Sequence, residues 1–353
     1  MPERRPRIAI VGGGITGLAC ALRLQTLAGD RADAPTALLL EASSRLGGKI
    51  VSERVGDFVI DAGADIFVER KEHGVTLCRA LGLASQLQHS SDRRGAYVLR
   101  EGALHAASPY DDVGPLVTLR DGMQGLPDAA AAALHDGVAR TNSWVRSVRR
   151  SANGFQLNVS DGWTVDADAL VVALPAPAAA ALLGGIASET ARALREVTYT
   201  STTTVSIAYP ASDVPHALDG YGYWVPDAKV GDVSACTWTS SKIPGRAPEG
   251  FVLLRGYVRG GGEADPVGAV RADLRHTLGI TAEPLFTRAY PWPEAVPVYG
   301  DMHAERVAII RRAGLTHPGL AIAGSAIDGP GIPDCIRSGS AAADAVWSHL
   351  AAA

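Results

Sequence analysis

The sequence predicts an α/β fold in which a parallel-sheet domain is combined with a second domain built on a mixed antiparallel sheet. Three observations support this. An apolar strand enters a glycine-rich turn near the N-terminus, residues 197–258 are rich in β-forming side chains, and a second strand, followed by glycines and a helix, lies near the C-terminus. The first and third features belong to one layered unit. The chain therefore leaves this unit, builds the second sheet and returns, so the domains are discontinuous in sequence.

The N-terminal unit is Rossmann-like. The apolar residues 8–11 predict a buried strand, and Gly12, Gly14 and Gly17 occupy the GxGxxG positions before a helix. Glu41 ends the next apolar run, where a carboxylate can accept hydrogen bonds from ribose hydroxyls. The helix N-terminus is suited to a pyrophosphate. These residues predict that an adenine dinucleotide binds here.

The remaining elements follow from hydrophobic periodicity and turn residues. The predicted helices cover 71–84, 128–134, 267–278 and 338–350, and the predicted strands cover 143–150, 154–160, 170–173, 197–209 and 320–323. A hairpin is predicted at 97–105, and several antiparallel strands are predicted between 219 and 258.

Composition excludes several functional classes. The 33 basic and 37 acidic residues give a net charge of −4, which offers no basis for binding nucleic acid or an anionic membrane. No run reaches the roughly 18 apolar residues of a membrane span. The four cysteines are far apart, which disfavours a metal site and fits a reducing cytoplasm. The histidines lack ligand spacing, and surface positions are expected for the four that precede residue 140: His73, His89, His105 and His135.

Further motifs carry a resemblance to a known family. They are the glycine turn, the Arg45-Leu46-Gly47-Gly48-Lys49 loop, Asp61-Ala62-Gly63-Ala64, Ala323-Gly324 and the segment 329–336. Together they resemble the FAD-dependent amine oxidase superfamily. Residues 235–242, 246–256 and 292–303 are similar to segments of protoporphyrinogen and coproporphyrinogen oxidases. This resemblance covers most of the chain.

The resemblance implies non-covalent FAD. The isoalloxazine is expected between Gly63-Ala64 and the 331–333 loop, Val145 is expected to contact the adenine, and Lys49 is expected near the flavin or its phosphates. The implied cofactor-binding residues are Gly12, Gly14, Ile15, Thr16, Gly17, Glu41, Ala42, Arg45, Gly47, Gly48, Lys49, Gly63, Ala64, Val145, Gly324, Gly331, Ile332 and Pro333. Cys335 raises the alternative of a covalent flavin, although the matching family segment commonly carries a cysteine with non-covalent FAD.

The implied activity is removal of hydride from a reduced tetrapyrrole, with dioxygen as acceptor and hydrogen peroxide as product. Arg94 resembles the family arginine that pairs with a substrate propionate, and Trp292 is the second implied substrate contact. Trp224, Trp238 and Tyr257 either line the substrate site or pack in the core. No catalytic side chain is singled out, because hydride transfer depends on a positioned C–H bond in a dry cavity.

The chain also departs from the family. Between the hairpin and residue 119, the family carries a long helical region that forms much of the tetrapyrrole cradle and, in some members, the membrane attachment. Here only Ser108 to Thr118 bridge the two sides. The expected FAD domain comprises 1–75, 116–185 and 300–353, and the reduced substrate domain comprises 76–115 and 186–299.

Three functions follow from this combination. The first is a compact porphyrinogen oxidase, the second an FAD oxidase or dehydrogenase that desaturates a C–N or C–C bond in a smaller substrate, and the third a non-catalytic flavoprotein subunit. The first two share a small-molecule substrate and a cytoplasmic location. The sequence leaves the oligomeric state open, homo-oligomers included.

Overall fold

The structure is a computed structural model that describes residues 5–93, 95–107, 113–226, 232–260 and 264–352. The strands are β1 Arg7–Val11, β2 Thr36–Leu40, β3 Ser52–Val55, β4 Phe58–Asp61, β5 Phe67–Val68, β6 Leu87–His89, β7 Ala96–Arg100, β8 Ala103–Ala107, β9 Leu116–Leu119, β10 Ala139–Arg140, β11 Val145–Ser151, β12 Gly154–Val159, β13 Thr164–Ala167, β14 Ala169–Val172, β15 Tyr199–Pro210, β16 Gly222–Trp224, β17 Val233–Thr237, β18 Phe251–Arg259, β19 Phe286–Pro297 and β20 Leu320–Ile322. The helices are α1 Ile15–Ala28, α2 His73–Ala80, α3 Gly125–Ala132, α4 Ala176–Leu183, α5 Ser188–Arg195, α6 Thr239–Lys242, α7 Pro266–Leu278, α8 His303–Thr316, α9 Ser325–Asp328 and α10 Ile332–Ala352.

The first sheet is parallel and carries the glycine turn. Its strand order is β10-β2-β1-β14-β20, so β1 lies at the centre. Helices α1 and α10 pack closely together: a Cβ atom built on Gly339 of α10 would lie 2.0 Å from the Thr16 carbonyl oxygen of α1. Because β20 and α10 come from the end of the chain, the predicted return to the first unit is confirmed.

The second large sheet is mixed, with the order β19-β15-β18-β17-β16-β7-β8. All of its pairs are antiparallel except β16 with β7. On one face, Val205, Ile207 and Leu254 belong to an apolar cluster with Val270 of α7. The other face is more polar, and it meets the loop after β4. The mixed antiparallel sheet predicted from the sequence is therefore confirmed.

Smaller sheets complete the molecule: β3-β4, β5-β9-β6 and β11-β12-β13. The strands of the parallel sheet fall in the segments assigned to the FAD domain, and those of the seven-stranded sheet fall in the segments assigned to the substrate domain. The exact division into domains stays a prediction. None of the helices that the structure describes is long and apolar enough to cross a membrane.

Several helices differ from the sequence prediction. Helix α10 begins at Ile332, earlier than the predicted residue 338, because Pro333 is compatible with the first turn of a helix, where no N–H is needed. Helix α2 covers only part of 71–84, since Gly82 adopts a left-handed φ of 76°. Helices α4, α5 and α8 were not predicted. The predicted hairpin at 97–105 and the alanine-rich helix are confirmed by β7-β8 and α3. His73, His89, His105 and His135 are exposed, as expected.

Candidate functional site

The turn between β1 and α1 can be made only with glycine at two positions. Gly12 has a φ of 107°, and a Cβ atom built on it would lie 2.4 Å from the Ala173 carbonyl oxygen. A Cβ atom on Gly17 would lie 1.9 Å from the Gly12 carbonyl oxygen. Gly14 is different, since a Cβ atom there would meet nothing within 4 Å. Gly12 and Gly17 are therefore required by the fold, whereas Gly14 borders open space.

This open space lies at the N-terminus of α1. Gly14 is the N-cap residue and supplies no side-chain cap, so the first N–H groups of the helix lack that partner. Ile15 and Thr16 form the first turn and are buried. A helix N-terminus with free donors and no side chain in front of it can bind a phosphate group.

Glu41 is fixed by the neighbouring backbone. Its Oε2 atom accepts a hydrogen bond from Gly13 N at 2.6 Å, and its Oε1 atom accepts one from Ser43 N at 2.8 Å. Oε1 also accepts from Ser43 Oγ at 2.8 Å, so further accepting capacity remains on Oε2. The carboxylate is therefore positioned beside the glycine turn, where a ribose would present its hydroxyls.

A cavity of about 370 Å³ lies beside this carboxylate. Its lining brings together Gly12, Glu41, Ala42 and Val145, which the sequence predicts as dinucleotide contacts, with apolar side chains that include Leu174. Apolar walls with a few polar groups are typical of small-molecule sites. The cavity has the chemistry to accept an adenosine.

The loop after Glu41 folds back over the glycine turn. Gly47 N donates to Gly13 O at 2.8 Å, and a Cβ atom on Gly48 would lie 3.2 Å from the Gly14 Cα atom. Arg45 donates to loop carbonyls, including Leu46 O at 2.9 Å. In the structure, Arg45 therefore stabilises its own loop through hydrogen bonds to loop carbonyls.

Lys49 connects this loop to the second sheet. Its Nζ atom donates to Glu294 O and, at 2.7 Å, to Ala295 O, and it lies 5.5 Å from the centre of the Tyr199 ring. Burial lowers the pKa of Lys49 below its usual value. Lys49 therefore lies where the two sheets meet.

The loop after β4 is held by side chains of the second sheet. Asp61 O and Gly63 O both accept from Arg255, at 2.7 and 3.0 Å, and Ala62 O accepts from Trp292 Nε1 at 3.0 Å. The carbonyl and the following N–H of a trans peptide point in opposite directions. The N–H groups of Gly63 and Ala64 are thus turned away from the sheet.

Gly63 is required by close packing. A Cβ atom on it would lie 1.9 Å from the Lys49 carbonyl oxygen and 3.4 Å from Trp292 Cζ2. The structure therefore brings Gly63 and Trp292 together, although the sequence assigned one to the cofactor and the other to the substrate. A group bound against Gly63 would lie beside this indole.

The C-terminal return lies next to the first glycine turn. Gly324 N donates to Ser338 Oγ at 2.9 Å, and a Cβ atom on Gly324 would lie 3.7 Å from Thr16 Oγ1. A Cβ atom on Gly331 would meet the Asp334 carboxylate at 2.7 Å. Ile332 and Pro333 open α10 and are buried. The C-terminal glycines are thus placed beside the N-terminus of α1.

Three of the four aromatic candidates share one face of the second sheet. Tyr257 pairs with Thr204, whose side chain bonds to Ala62 O, and Ala235 pairs with both Tyr257 and Trp224. Alternation along the strands places Trp224, Tyr257 and Trp292 on the face that meets the Gly63 loop. All three are half-buried.

The fourth aromatic belongs to the core. Trp238 is fully buried, with its ring 4.8 Å from that of His216 and 5.4 Å from that of Tyr97. Its role is packing. Arg94, predicted to bind a substrate carboxylate, lies outside the described residues.

A buried charge cluster was not predicted. Arg246 pairs with Asp61 at 2.8 Å, while Lys242 and Arg255 each pair with Asp65 at 3.0 Å. Burial acts to raise the pKa of Asp65, but Arg255 and Lys242 hold it below its usual range. The three cations fall inside the segments that carry the family resemblance, 235–242 and 246–256. Only Arg255 lies in a strand, β18, so a charged residue within that largely apolar strand was the available signal.

Comparison with known proteins identifies the family. The profile described as flavin containing amine oxidoreductase matches residues 15–113 and 109–347. Coproporphyrinogen III oxidase from Bacillus subtilis (strain 168) is 25% identical over 471 aligned positions, covering 99% of this chain and 100% of the relative. The enzyme of the same name from Propionibacterium freudenreichii is 36% identical over 70% of this chain and 47% of the relative.

Solved structures share the fold. A protein from Exiguobacterium sp. 255-15, assigned as a protoporphyrinogen oxidase, superposes with a TM-score of 0.86 at 23% identity, covering 98% of this chain and 99% of that one. Cyclohexylamine oxidase from Brevibacterium oxydans IH-35A gives a TM-score of 0.79 at 16% identity, covering 99% and 100%.

The two matched segments of the family profile meet at residues 109–113. The helical region that the family carries and this chain lacks would fall at this point. The alignment with the Bacillus subtilis relative has 471 positions, more than the 353 residues of this chain. The glycine turn, the cavity beside Glu41 and the Gly63 loop all fit an FAD molecule. The chain belongs to the flavin containing amine oxidoreductase family, as a porphyrinogen-oxidase-like, FAD-dependent oxidase.

Proposed function

We propose that this chain holds FAD across the glycine turn and the Gly63 loop and oxidises a reduced tetrapyrrole, with dioxygen as the final acceptor. The proposed contacts are those predicted from the sequence. The observation that carries the proposal is the hydrogen bond from Trp292 Nε1 to Ala62 O, which joins the loop of Gly63 to a polar, aromatic sheet face. When bound, FAD would accept a hydride from the substrate.

Each part of the chain has a distinct task in this proposal. The N-terminus of α1 binds the pyrophosphate, and the Glu41 carboxylate accepts from the ribose. The N–H groups of Gly63 and Ala64 face the isoalloxazine. Trp292, with Tyr257 and Trp224, presents an apolar surface that orients the substrate and excludes water.

The cofactor is proposed to be non-covalent. The Cys335 thiol lies in the first turn of α10, with its Sγ atom 3.8 Å from Gly329 O. Burial raises the pKa of Cys335 to about 11, so the thiol stays protonated at neutral pH. A protonated thiol is a poor nucleophile.

A smaller substrate is the second candidate. It is favoured by the break in the family match at residues 109–113, because the shortened segment removes much of the surface that would surround a macrocycle. Under this alternative, the same sheet face would accept an amine or another compact molecule. The first candidate rests on the relatives named above, and the second rests on the shortened segment.

Aerobic turnover separates the candidates. Purified protein loaded with FAD is expected to convert coproporphyrinogen III or protoporphyrinogen IX into the fluorescent porphyrin, with hydrogen peroxide formed in proportion. Cyclohexylamine and putrescine serve as small amine probes. Oxidation of an amine but of neither porphyrinogen would favour the second candidate, and porphyrin without peroxide would exclude dioxygen as acceptor.

Trp292→Phe tests the placement of substrate. Ala62 O keeps its bond from Thr204 Oγ1 at 2.7 Å, so the loop and FAD affinity should be preserved. We expect kcat/KM for the oxidised substrate to fall about tenfold, or about 1.4 kcal/mol, because the smaller ring loses contact with the substrate. Trp163→Phe, at a different surface, is the control. Equal kcat/KM in both variants would remove Trp292 from the substrate site.

A cytoplasmic location also remains a proposal. It is supported by the cysteines, all four of which are free and buried. The oligomeric state can be measured directly by light scattering.

A further inference from the structure

We infer that the buried cluster of Asp61, Asp65, Lys242, Arg246 and Arg255 raises the reduction potential of the flavin through its net positive charge. The inference rests on the proposed position of FAD against Gly63 and Ala64. It assigns these residues a role in tuning and positioning, since the geometry places them behind the loop and not in contact with substrate.

The cluster is concentrated in one place. Among the described residues, the buried charged side chains are these five and Asp334, which pairs separately with Lys71 at 2.5 Å. The three cations and two carboxylates leave an excess of one positive charge. Burial raises the pKa of Asp61, and protonation there would only increase that excess.

The cluster lies directly behind the cofactor loop. Arg255 contacts the carbonyl oxygens of Asp61 and Gly63, and its guanidinium also pairs with Asp65, which follows Ala64 in sequence. One peptide group therefore separates this cation from the surface proposed to face the ring. Charges act strongly over such distances when water is excluded.

The peptide dipoles of the Gly63 loop act in the same direction as the positive charge of the cluster. The carbonyls of Asp61, Ala62 and Gly63 point back to donors of the sheet, so their negative ends are turned away from the proposed ring. Ala62 N donates to Val51 O at 2.9 Å, so the positive ends that face the ring are the N–H groups of Gly63 and Ala64. A substrate hydride adds two electrons and a proton to the ring, which leaves it with one more negative charge. Both features stabilise that charge.

Lys242 offers the cleanest change, because its Nζ atom pairs with Asp65 at 3.0 Å while Arg255 keeps Asp65 paired when Lys242 is removed. The measurement is the reduction potential of the FAD-loaded protein, by equilibration with reference dyes in the absence of porphyrinogen. Lys242→Met should lower the equilibrium constant for two-electron reduction about tenfold, a fall of about 30 mV. Lys242→Arg, which keeps the charge, should leave the potential unchanged.

Asp65→Asn provides a test of opposite sign. It removes a negative charge and should raise the potential, whereas a purely structural role would not move the two variants in opposite directions. Lys242→Gln replaces Lys242→Met if that variant does not fold. Shifts of the same sign, or no shift in any neutral variant, would overturn the inference. The potential is measured without substrate, so it can be determined even if the protein does not oxidise porphyrinogens. Failure to bind FAD would count against the proposed site.

Discussion

Replacing Gly14 by alanine is expected to lower the affinity for FAD by about tenfold to a hundredfold without changing the stability of the cofactor-free chain. A Cβ atom at Gly14 meets nothing within 4 Å, and its φ of −68° and ψ of 178° suit alanine. The added methyl group projects into space that the pyrophosphate is proposed to fill. Overpacking of this kind costs about 1–3 kcal/mol.

Gly17→Ala is the matched control. Its Cβ atom would lie 1.9 Å from the Gly12 carbonyl oxygen, so this variant should lose both fold stability and FAD affinity. Denaturant unfolding of the cofactor-free proteins and fluorescence titration with FAD measure the two effects. If Gly14→Ala binds FAD as tightly as the parent chain, the pyrophosphate does not lie in front of Gly14.

Arg246→Met should have the largest effect on stability. Arg246 is fully buried, pairs with Asp61 at 2.8 Å and donates to the carbonyl oxygens of Leu119 and Arg120. Its removal leaves a buried carboxylate without its cation. Breaking such a pair costs about 3–5 kcal/mol, a large part of the roughly 5–15 kcal/mol that stabilises a protein.

Arg54→Met is the corresponding exposed control. Arg54 pairs with Asp121 at 2.5 Å, but both side chains are more than half exposed. Surface pairs contribute under about 1 kcal/mol. Urea unfolding of the two variants gives the comparison. A similar, small change for both would show that Arg246 is not essential to the loop, and that the cluster is weaker than its geometry indicates.

Local signals were sufficient to predict the cofactor half of the fold. The glycine spacing and Glu41 predicted a turn whose geometry follows from backbone contacts between neighbours in sequence or across one strand pair. Local apolar runs and turn residues also predicted the Rossmann-like sheet, the hairpin at 97–105 and the returning strand β20, and the structure confirms all three.

The other half depends on contacts that are distant in sequence. Arg255 lies almost two hundred positions from the Asp61 carbonyl that it contacts, and no periodicity links them. The pairing of the strands decides which face of the second sheet meets the Gly63 loop. The sequence alone therefore could not show that Trp292 lies on this face while Trp238 packs in the core. The hydrogen bonds from Arg45 to the carbonyls of its own loop were not predicted from the sequence, and its assignment to the cofactor stays a prediction.

Anaerobic mixing of the FAD-loaded protein with coproporphyrinogen III or protoporphyrinogen IX shows whether a reduced tetrapyrrole transfers hydride to the flavin. The absorbance of oxidised flavin is the readout, with cyclohexylamine and putrescine as comparison substrates. We expect rapid loss of this absorbance with at least one porphyrinogen, and its recovery when dioxygen is admitted. Flavin that stays oxidised with both porphyrinogens would contradict it.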